Sequence, residues 1–280
     1  MNVRSIQSAA GSAHSKVFDT ASDMPTSSQT HLVLIPTYNT GAKVVETVRE
    51  ALAVWLPVWV VVDGSTDGSD LLIDELAESE PNLRVLKQSP NQGKGAAVLK
   101  GITEAEGEGF QYVLTMDADG QHPANRITDF MRVSQENPGS MVLGKPVFGD
   151  EAPALRVNGR KVSNFWAQLE TLWGGIGDSL FGFRIYPIAD LRAVMEKNRW
   201  SRRFDFDPEV AVRLFWRGVT PVNVEADVKY LTAEEGGVSQ FRYLRDNTLL
   251  TWMHARLMVG FFLRLPKLIW WKLFRKKHTR

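Results

Sequence analysis

Asp117 and Asp119 stand two residues apart in YVLTMDADGQHP, residues 112–123, where an apolar run gives way to acids, a glycine, an amide and an imidazole. On an extended chain that spacing puts both carboxylates on one side. Two acids so placed repel one another unless a cation lies between them. Hard oxygen donors in a chain without cysteine point to Mg2+ or Mn2+, which keeps few protein ligands and completes its shell with phosphate oxygens. Gln121 offers a further carbonyl oxygen, whereas His122 reads as a hydrogen-bonding loop residue, since such ions prefer oxygen. The competing reading is a solvated loop with one carboxylate capping a helix that begins near Pro123.

A second stretch with chemistry in it is NQGKGAA, residues 91–97. Gly93 and Gly95 would let backbone approach a ligand while Lys94 meets a phosphate at a helix N-terminus, or the stretch is only a turn and a helix start. No G-x-G-x-x-G follows the first apolar run and no G-x-x-x-x-G-K-[ST] occurs, which argues against a dinucleotide-binding dehydrogenase and a P-loop nucleotide hydrolase. DGSTDGSDLLID, residues 63–74, spaces oxygens like a calcium loop. It follows a strand, however, puts Leu71 at a ligand position and ends in Asp74 where a glutamate is expected. Ser65 or Thr66 can cap the helix that follows.

The elements that must hold these residues alternate. HLVLIP (31–36), VWVVVD (58–63), LRVLKQ (83–88), YVLTMD (112–117) and SMVLGK (140–145) are short runs rich in Val, Leu and Ile, as strands buried on both faces require. Helical patterns fill 42–55, 69–79, 94–106 and 124–136. The alternation predicts an α/β fold, doubly wound around a mostly parallel sheet. Ligands of such sheets bind beyond the carboxyl ends of the strands, and PTYNTG, DGSTDGSD, SPNQGKGAA and DADGQHP all fall there.

With 280 residues, 44% hydrophobic and 23% charged, the chain can build one large domain with an appendage. Its net charge of +1 is uneven: residues 264–280 hold seven Lys or Arg and no acid, which leaves −6 for the rest. Leu265, Leu268, Ile269, Trp270, Trp271, Leu273 and Phe274 interleave with that charge, so the partner is a membrane surface and not nucleic acid. The segment LLTWMHARLMVGFFLRLPKLIWWKLFRKK is interrupted by His254, Arg256, Arg264 and Lys267 before the roughly 20 apolar residues a span needs. It is expected to lie along the membrane interface, with Pro266 dividing it into two helices. The first 30 residues are Ser/Thr/Ala-rich and lack an apolar run of signal-peptide length, and read as a disordered leader. The expected organisation is a leader (1–30), a catalytic domain (31–241) and C-terminal amphipathic helices (242–280). Lack of cysteine fits a reducing compartment, hence a peripheral or monotopic protein on the cytoplasmic face of an inner or plasma membrane.

IPTYNTG, VVVDGSTDGS, NQGKGAAVLKGI, LTMDADGQHP, GDSLFGFRIYP and FDFDPEVAVRLFWRGV occur in order between His31 and Phe241. Through them the chain resembles family 2 glycosyltransferases of the GT-A fold, and among these it is similar to dolichyl- and polyprenyl-phosphate hexose synthases. The resemblance implies that Pro36, Thr37, Tyr38, Asp63 and Ser65 line the base and ribose of a GDP- or UDP-hexose, with Lys94 beside them. It also implies that Asp117 and Asp119 are the metal-binding D-x-D with Gln121 as a third ligand, and that Gly182, Phe183 and Arg184, preceded by Asp178, mark the acceptor side. Three positions depart from the family pattern: Thr40 and Val62 replace acids near the base, and Lys145 replaces an arginine whose bidentate fork is thereby lost.

The implied chemistry is metal-dependent, inverting transfer of a hexose to a membrane lipid. The expected acceptor is a polyprenyl phosphate, an anion that needs no general base, gripped by Lys145, Arg156, Arg160, Lys161 and Ser163. Arg156 and Arg160 share a face if helical. A hydroxyl acceptor on a glycolipid would instead need a base, for which Asp178 is the candidate. A nucleotidyltransferase or a non-catalytic, membrane-bound nucleotide-sugar binder are the other readings.

Overall fold

The computed structural model describes residues 24–149, 154–228 and 243–274. Its strands are β1 (Thr26–Ser27), β2 (His31–Thr37), β3 (Trp55–Leu56), β4 (Val58–Asp63), β5 (Leu83–Gln88), β6 (Tyr112–Thr115), β7 (Met141–Val147), β8 (Arg184–Pro187) and β9 (Pro221–Asp227). Its α-helices are α1 (Lys43–Leu52), α2 (Ser69–Ser79), α3 (Lys94–Gly107), α4 (Ile127–Glu136), α5 (Ala154–Glu170), α6 (Ile188–Lys197), α7 (Phe206–Arg217) and α8 (Tyr243–Phe274). Seven strands form one sheet in the order β5-β4-β2-β6-β8-β7-β9. All pairings are parallel except those of β8, which runs antiparallel to both β6 and β7.

The side-chain alternation of the strands divides the core in two. On one face, Leu32 and Leu34 of β2 and Trp59 and Val61 of β4 pack with α3, α6 and α7. On the other, Val33, Ile35, Val58, Val60 and Val62 pack with α1, α2 and α4. The result is three layers, as the sequence pattern predicts, with helix ends close to their expected places. The first helix stops at Leu52 instead of residue 55, because Trp55 and Leu56 pair in parallel with Thr26 and Ser27. The expected leader therefore carries a short strand near its end, and its residues 1–23 lie outside the described residues.

Helix α8 departs from expectation twice. It is one helix of 32 residues with Pro266 inside it. Both Pro266 and Phe262, whose carbonyl loses its amide partner, lie on the exposed face, where that carbonyl can be solvated and the ring crowds no neighbour. Nor is α8 a detached appendage. Met253, Leu257, Phe261 and Leu268 are buried in the core cluster of α3, α6 and α7, which at 1.5–3 kcal/mol each amounts to roughly 6–12 kcal/mol as an upper bound. Its outer face leaves Trp252, Val259, Phe262, Leu263 and Trp270 exposed. Among the described residues no helix is long and apolar enough to cross a membrane.

Candidate active site

The rim at the carboxyl ends of β2, β4 and β6 opens into a cavity of about 1070 Å3. Pro36, Thr37 and Tyr38 line it from the end of β2, Asp63 from the end of β4, and Lys94 from the start of α3. Asp117, Asp119 and Gln121 enter from the loop after β6, and Arg160 and Ser163 from α5. The structure thus collects most of the expected residues on one surface.

Lys94 is the pivot of that surface. Its Nζ lies 2.6 Å from Asp117 Oδ1 and donates to Asp207 Oδ2 at 2.7 Å. Burial opposes the charge on Lys94, but the two carboxylates raise its pKa well above the ordinary lysine value. Burial likewise pushes Asp117 up, and the ammonium of Lys94 more than reverses this, so its carboxyl is held below the usual range. Asp119 has no such partner: burial, then the charge of Asp117, push its carboxyl up. Among the described residues its Oδ1 accepts only the backbone N–H of Gln121, at 3.0 Å. A pair of acids of which one is compensated by lysine and the other is raised by its neighbour is short of positive charge, which fits a dication. Among the described residues no cluster of three or more His, Cys, Asp or Glu could enclose a metal. The donor set is therefore an open one of two carboxylates and the Gln121 amide, suited to Mg2+ or Mn2+ sharing phosphate oxygens.

The surrounding residues fix this geometry. His122 Nδ1 accepts the backbone N–H of Asp117 at 2.9 Å, so the neutral ring carries its proton on Nε2, and burial keeps it neutral by lowering its pKa. Its ring meets Phe181 edge-on, with centroids 4.7 Å apart; His122 braces the loop and is not a ligand. A Cβ on Gly182 would lie 2.5 Å from Lys94 Nζ and 2.9 Å from Asp117 Oδ2, so the absence of a side chain there makes room for the ion pair. Gly95 is likewise required by the protein itself: a Cβ would collide with the carbonyl of Ser201. The glycines around Lys94 therefore admit the 201–203 segment, where the sequence suggested a ligand.

Several residues expected to touch substrate are engaged by the protein itself. Asp63 is buried, its Oδ1 accepting from Gln88 Nε2 and Gln92 N and its Oδ2 from Gly93 N, at 2.7–2.8 Å; it ties the end of β4 to the start of α3. Ser65 Oγ accepts the backbone N–H of Asn39 at 3.1 Å. Neither Ser65 nor Thr66 caps α2: its N-cap is Gly68, in the left-handed region, and Asp67 just before it accepts from Ser69 N and Oγ. Val62 faces the core, so its departure from the family pattern does not reach the cavity. Thr40 does line it, with its hydroxyl 2.6 Å from that of Thr37.

The acceptor-side expectations need more correction. Arg184 is fully buried and donates to the carbonyls of Phe181, Asp207 and Asp178 at 2.6–3.1 Å, so it cements the 178–184 turn and binds no ligand. Asp178 is also buried. Its Oδ1 accepts from Arg160 Nη1, Leu180 N and Phe181 N, and its Oδ2 from Asn164 Nδ2; with its lone pairs so engaged it is a scaffold carboxylate and not a base facing substrate. Lys145 lies within β7 and pairs with Glu225 of β9 at 2.9 Å, its register partner on an exposed surface. Among the described residues, Ser65, Lys145, Asp178 and Arg184 do not line the cavity. Lys161 is exposed and bonded to Asn158, and Arg156 falls in α5 with its side chain outside the described set.

Two residues of the site escaped the sequence reading. Asp207 is eight per cent exposed at its side chain and lines the cavity, and its Oδ1 has no hydrogen-bond partner among the described residues. The motif FDFDPE displayed it, but an acid before proline at a helix start reads as a helix-end residue. His254 lines the cavity from α8, where the sequence showed only an interruption of an apolar run.

Residues 32–188, more than half of the chain, match Glycosyl transferase family 2. A polyprenol monophosphomannose synthase of Mycolicibacterium smegmatis is 29% identical over 79% of this chain and 84% of its own length. A dolichyl-phosphate beta-glucosyltransferase of Trichomonas vaginalis is 32% identical over 55% of this chain, which spans about half (48%) of that longer protein. Glucosyl-3-phosphoglycerate synthase of Mycobacterium tuberculosis, solved with Mn2+, UDP-glucose and phosphoglyceric acid, superposes with a TM-score of 0.59 over 83% of this chain and 79% of its own, at 15% identity, which speaks to the fold alone. With a GT-A-type sheet, a D-x-D loop at its rim and a family match across both, the chain belongs to glycosyl transferase family 2 and is a glycosyltransferase similar to the polyprenyl-phosphate sugar synthases.

Proposed function

We propose that the chain moves a hexose from GDP or UDP to the phosphate of a polyprenyl lipid at a membrane surface, inverting the anomeric carbon and using Mg2+ or Mn2+. The observation that carries this reading is the continuity of one cavity, from Tyr38 and Lys94 past Asp117 to Arg160 and Ser163 and on to Leu250 and Met258 of α8. Nucleotide, reacting centre, anionic head and apolar tail can be accommodated there in sequence. The M. smegmatis and T. vaginalis relatives, named for polyprenol and dolichyl-phosphate acceptors, support the acceptor class.

In the reaction so assigned, an acceptor phosphate oxygen attacks the anomeric carbon from the face opposite the nucleotide. The carbon–oxygen bond to the nucleoside diphosphate breaks, and that group leaves with the electron pair. A divalent ion held by Asp117, Asp119 and Gln121 would supply charge stabilisation to the departing diphosphate. Lys94 adds a fixed positive charge beside it, and Arg160 orients the anionic head. No general base is called for, which agrees with the fully engaged carboxylate of Asp178 and favours phosphate over a hydroxyl acceptor. The exposed apolar face of α8 supports a cavity mouth that opens at the bilayer, as in a monotopic protein.

The test is transfer from GDP-mannose and from UDP-glucose to citronellyl phosphate, with Mn2+ or with EDTA, in the parent and in Asp119→Ala. A sugar-phosphate lipid of inverted configuration, lost on chelation and in the variant, is expected. Transfer to neutral alcohols only, or equal transfer in EDTA, would refute the reading.

A further inference from the structure

We propose that His254 is a positioning residue for the anionic head of the acceptor, acting through the hydroxyl of Ser163 and itself held by Glu170. This rests on the lipid-phosphate reading given above. Arg160 and Ser163 lie one turn apart on α5, His254 faces them from α8, and all three line the cavity. A cation, a hydroxyl and an imidazole thus meet on one wall.

Their connections run deep. His254 Nε2 lies 3.2 Å from Ser163 Oγ, and its Nδ1 lies 2.9 Å from Glu170 Oε1. Ser163 Oγ also lies 3.0 Å from Ser179 Oγ. Ser179 donates its N–H and its hydroxyl to Asn164 Oδ1, and Asn164 Nδ2 donates to Asp178, which carries Arg160. One network therefore runs from Arg160 to Glu170 behind the cavity wall, and only Arg160, Ser163 and His254 among its members face the cavity. Glu170 is fully buried, and its Oε2 has no hydrogen-bond partner among the described residues. A buried carboxyl half satisfied in this way costs stability, and an apolar pair would clasp α5 to α8 as well or better. The arrangement makes sense if its purpose is to set the imidazole.

Chemistry then says what the setting achieves. With Glu170 engaging Nδ1, the other nitrogen faces Ser163. With a proton on Nε2, and Glu170 Oε1 either accepting from a protonated Nδ1 or itself donating to it, His254 donates to Ser163 Oγ. The serine O–H, which otherwise donates to Ser179 Oγ because the Ser179 hydroxyl is given to Asn164 Oδ1, can then turn to a ligand. An anion on the cavity wall selects that state, because it needs a donor and would be repelled by a lone pair. His254 thereby converts Ser163 into a donor toward phosphate, beside the guanidinium of Arg160. Because His254 belongs to the helix that carries the exposed apolar face, the acceptor head and the lipid surface are read by one element.

The experiment uses the full chain with citronellyl phosphate as acceptor, and measures acceptor KM, donor KM and Mn2+-dependent nucleoside-diphosphate affinity. His254→Ala and Ser163→Ala are each expected to raise acceptor KM tenfold or more while donor KM and diphosphate affinity stay within twofold. The double variant should be no worse than the poorer single one, since both act through one hydroxyl, and His254→Gln, which keeps an N–H donor, should recover at least half of the acceptor affinity. If His254→Ala does not fold, Ser163→Ala and His254→Gln, which nearly preserve volume, decide the matter by the same criteria. Acceptor KM within twofold of the parent's in the folded variants, or a parallel rise in donor KM, would overturn the role of His254 alone. A parent active only on neutral alcohols would overturn the lipid-phosphate reading itself.

Discussion

Gly182→Ala is the sharpest perturbation of the metal loop, because it adds one methyl group at the closest approach to the ion pair. The new Cβ would sit 2.5 Å from Lys94 Nζ and 2.9 Å from Asp117 Oδ2, whereas carbon contacts to such atoms need close to 3.4 Å. Lysine ends can normally swing aside. This one is held at 2.6 Å and 2.7 Å by two carboxylates and is only 15% exposed, so either the pair or the 178–184 turn must shift by nearly 1 Å. Overpacking of that kind costs about 1–3 kcal/mol. In a chain of this size that lowers the melting temperature by roughly 2–12 °C; expressed instead in affinity for Mn2+ and nucleoside diphosphate, it is about five- to 150-fold. Calorimetric titration with Mn2+ and GDP or UDP, together with thermal unfolding, separates the two routes. In the double variant with Lys94→Ala the methyl group has less to displace, so the two losses should fall short of additivity. A Gly182→Ala protein with both its melting temperature and its diphosphate affinity unchanged would refute the view that this glycine exists to make room for the pair.

Other predictions follow from buried groups. His31, stacked on Tyr112 and bonded to Ser134, has its pKa lowered by burial from 6.5 to about 4. Its neutral form therefore contributes stability above pH 6.5 that is lost as pH falls through about 4, worth roughly 3 kcal/mol; urea midpoints should fall across that interval in the parent and less in His31→Gln, and parallel curves would count against it. Arg184→Ala should destabilise by more than about 3 kcal/mol, since three carbonyls and the Tyr186 hydroxyl lose their donor; a shift under 1 kcal/mol in a urea titration would mean the turn holds without it. Leu263→Glu with Trp270→Glu, on the exposed face of α8, should cut binding to anionic vesicles tenfold or more while leaving thermal unfolding unchanged. Equal sedimentation of parent and variant with vesicles would assign that face to something other than lipid. Truncation after Gly260 is the poorer test, because it removes Phe261 and Leu268 from the core.

How much of this could be read beforehand depends on the kind of signal. The strands were legible because a run such as HLVLIP or VWVVVD has one physical explanation, burial on both faces. The D-x-D loop was legible because two acids after a strand are costly without a cation. The roles of Asp63, Asp178 and Arg184 were not, since a motif names a residue without saying which way it faces. Asp63 and Arg184 hold backbone against backbone, and only the closing of α3 and of the 178–184 turn onto them reveals it. Lys145 was placed in its strand, but its turning to Glu225 of β9 was not legible, because that register partner lies 80 residues away. His254 was invisible for a different reason: its partners Ser163 and Glu170 lie 91 and 84 residues away, beyond any local pattern. The continuity of α8 through Pro266 depended on which face the proline occupied, again a fact of packing.

The reversed strand β8 has a consequence for how such a protein can be altered. Parallel strands deliver their following loops to the rim, but an antiparallel strand delivers the loop that precedes it. The 171–183 segment therefore arrives at Asp117 from the opposite chain direction, anchored behind by Arg184 and ahead by the packing of α5. Its approach is pinned: Ile176 is buried in the core, Gly177 N–H donates to Asn223 Oδ1 and Asn223 Nδ2 donates to the Gly175 carbonyl, and a Cβ on Gly174 would collide with Phe215, while β8 itself pairs with β6. Among the described residues none of 171–177 lines the cavity, whereas Leu180, Phe181 and Gly182 do, so a change in the approach reaches the cavity only by moving the 180–182 turn, and with it the Lys94–Asp117 pair that Gly182 touches.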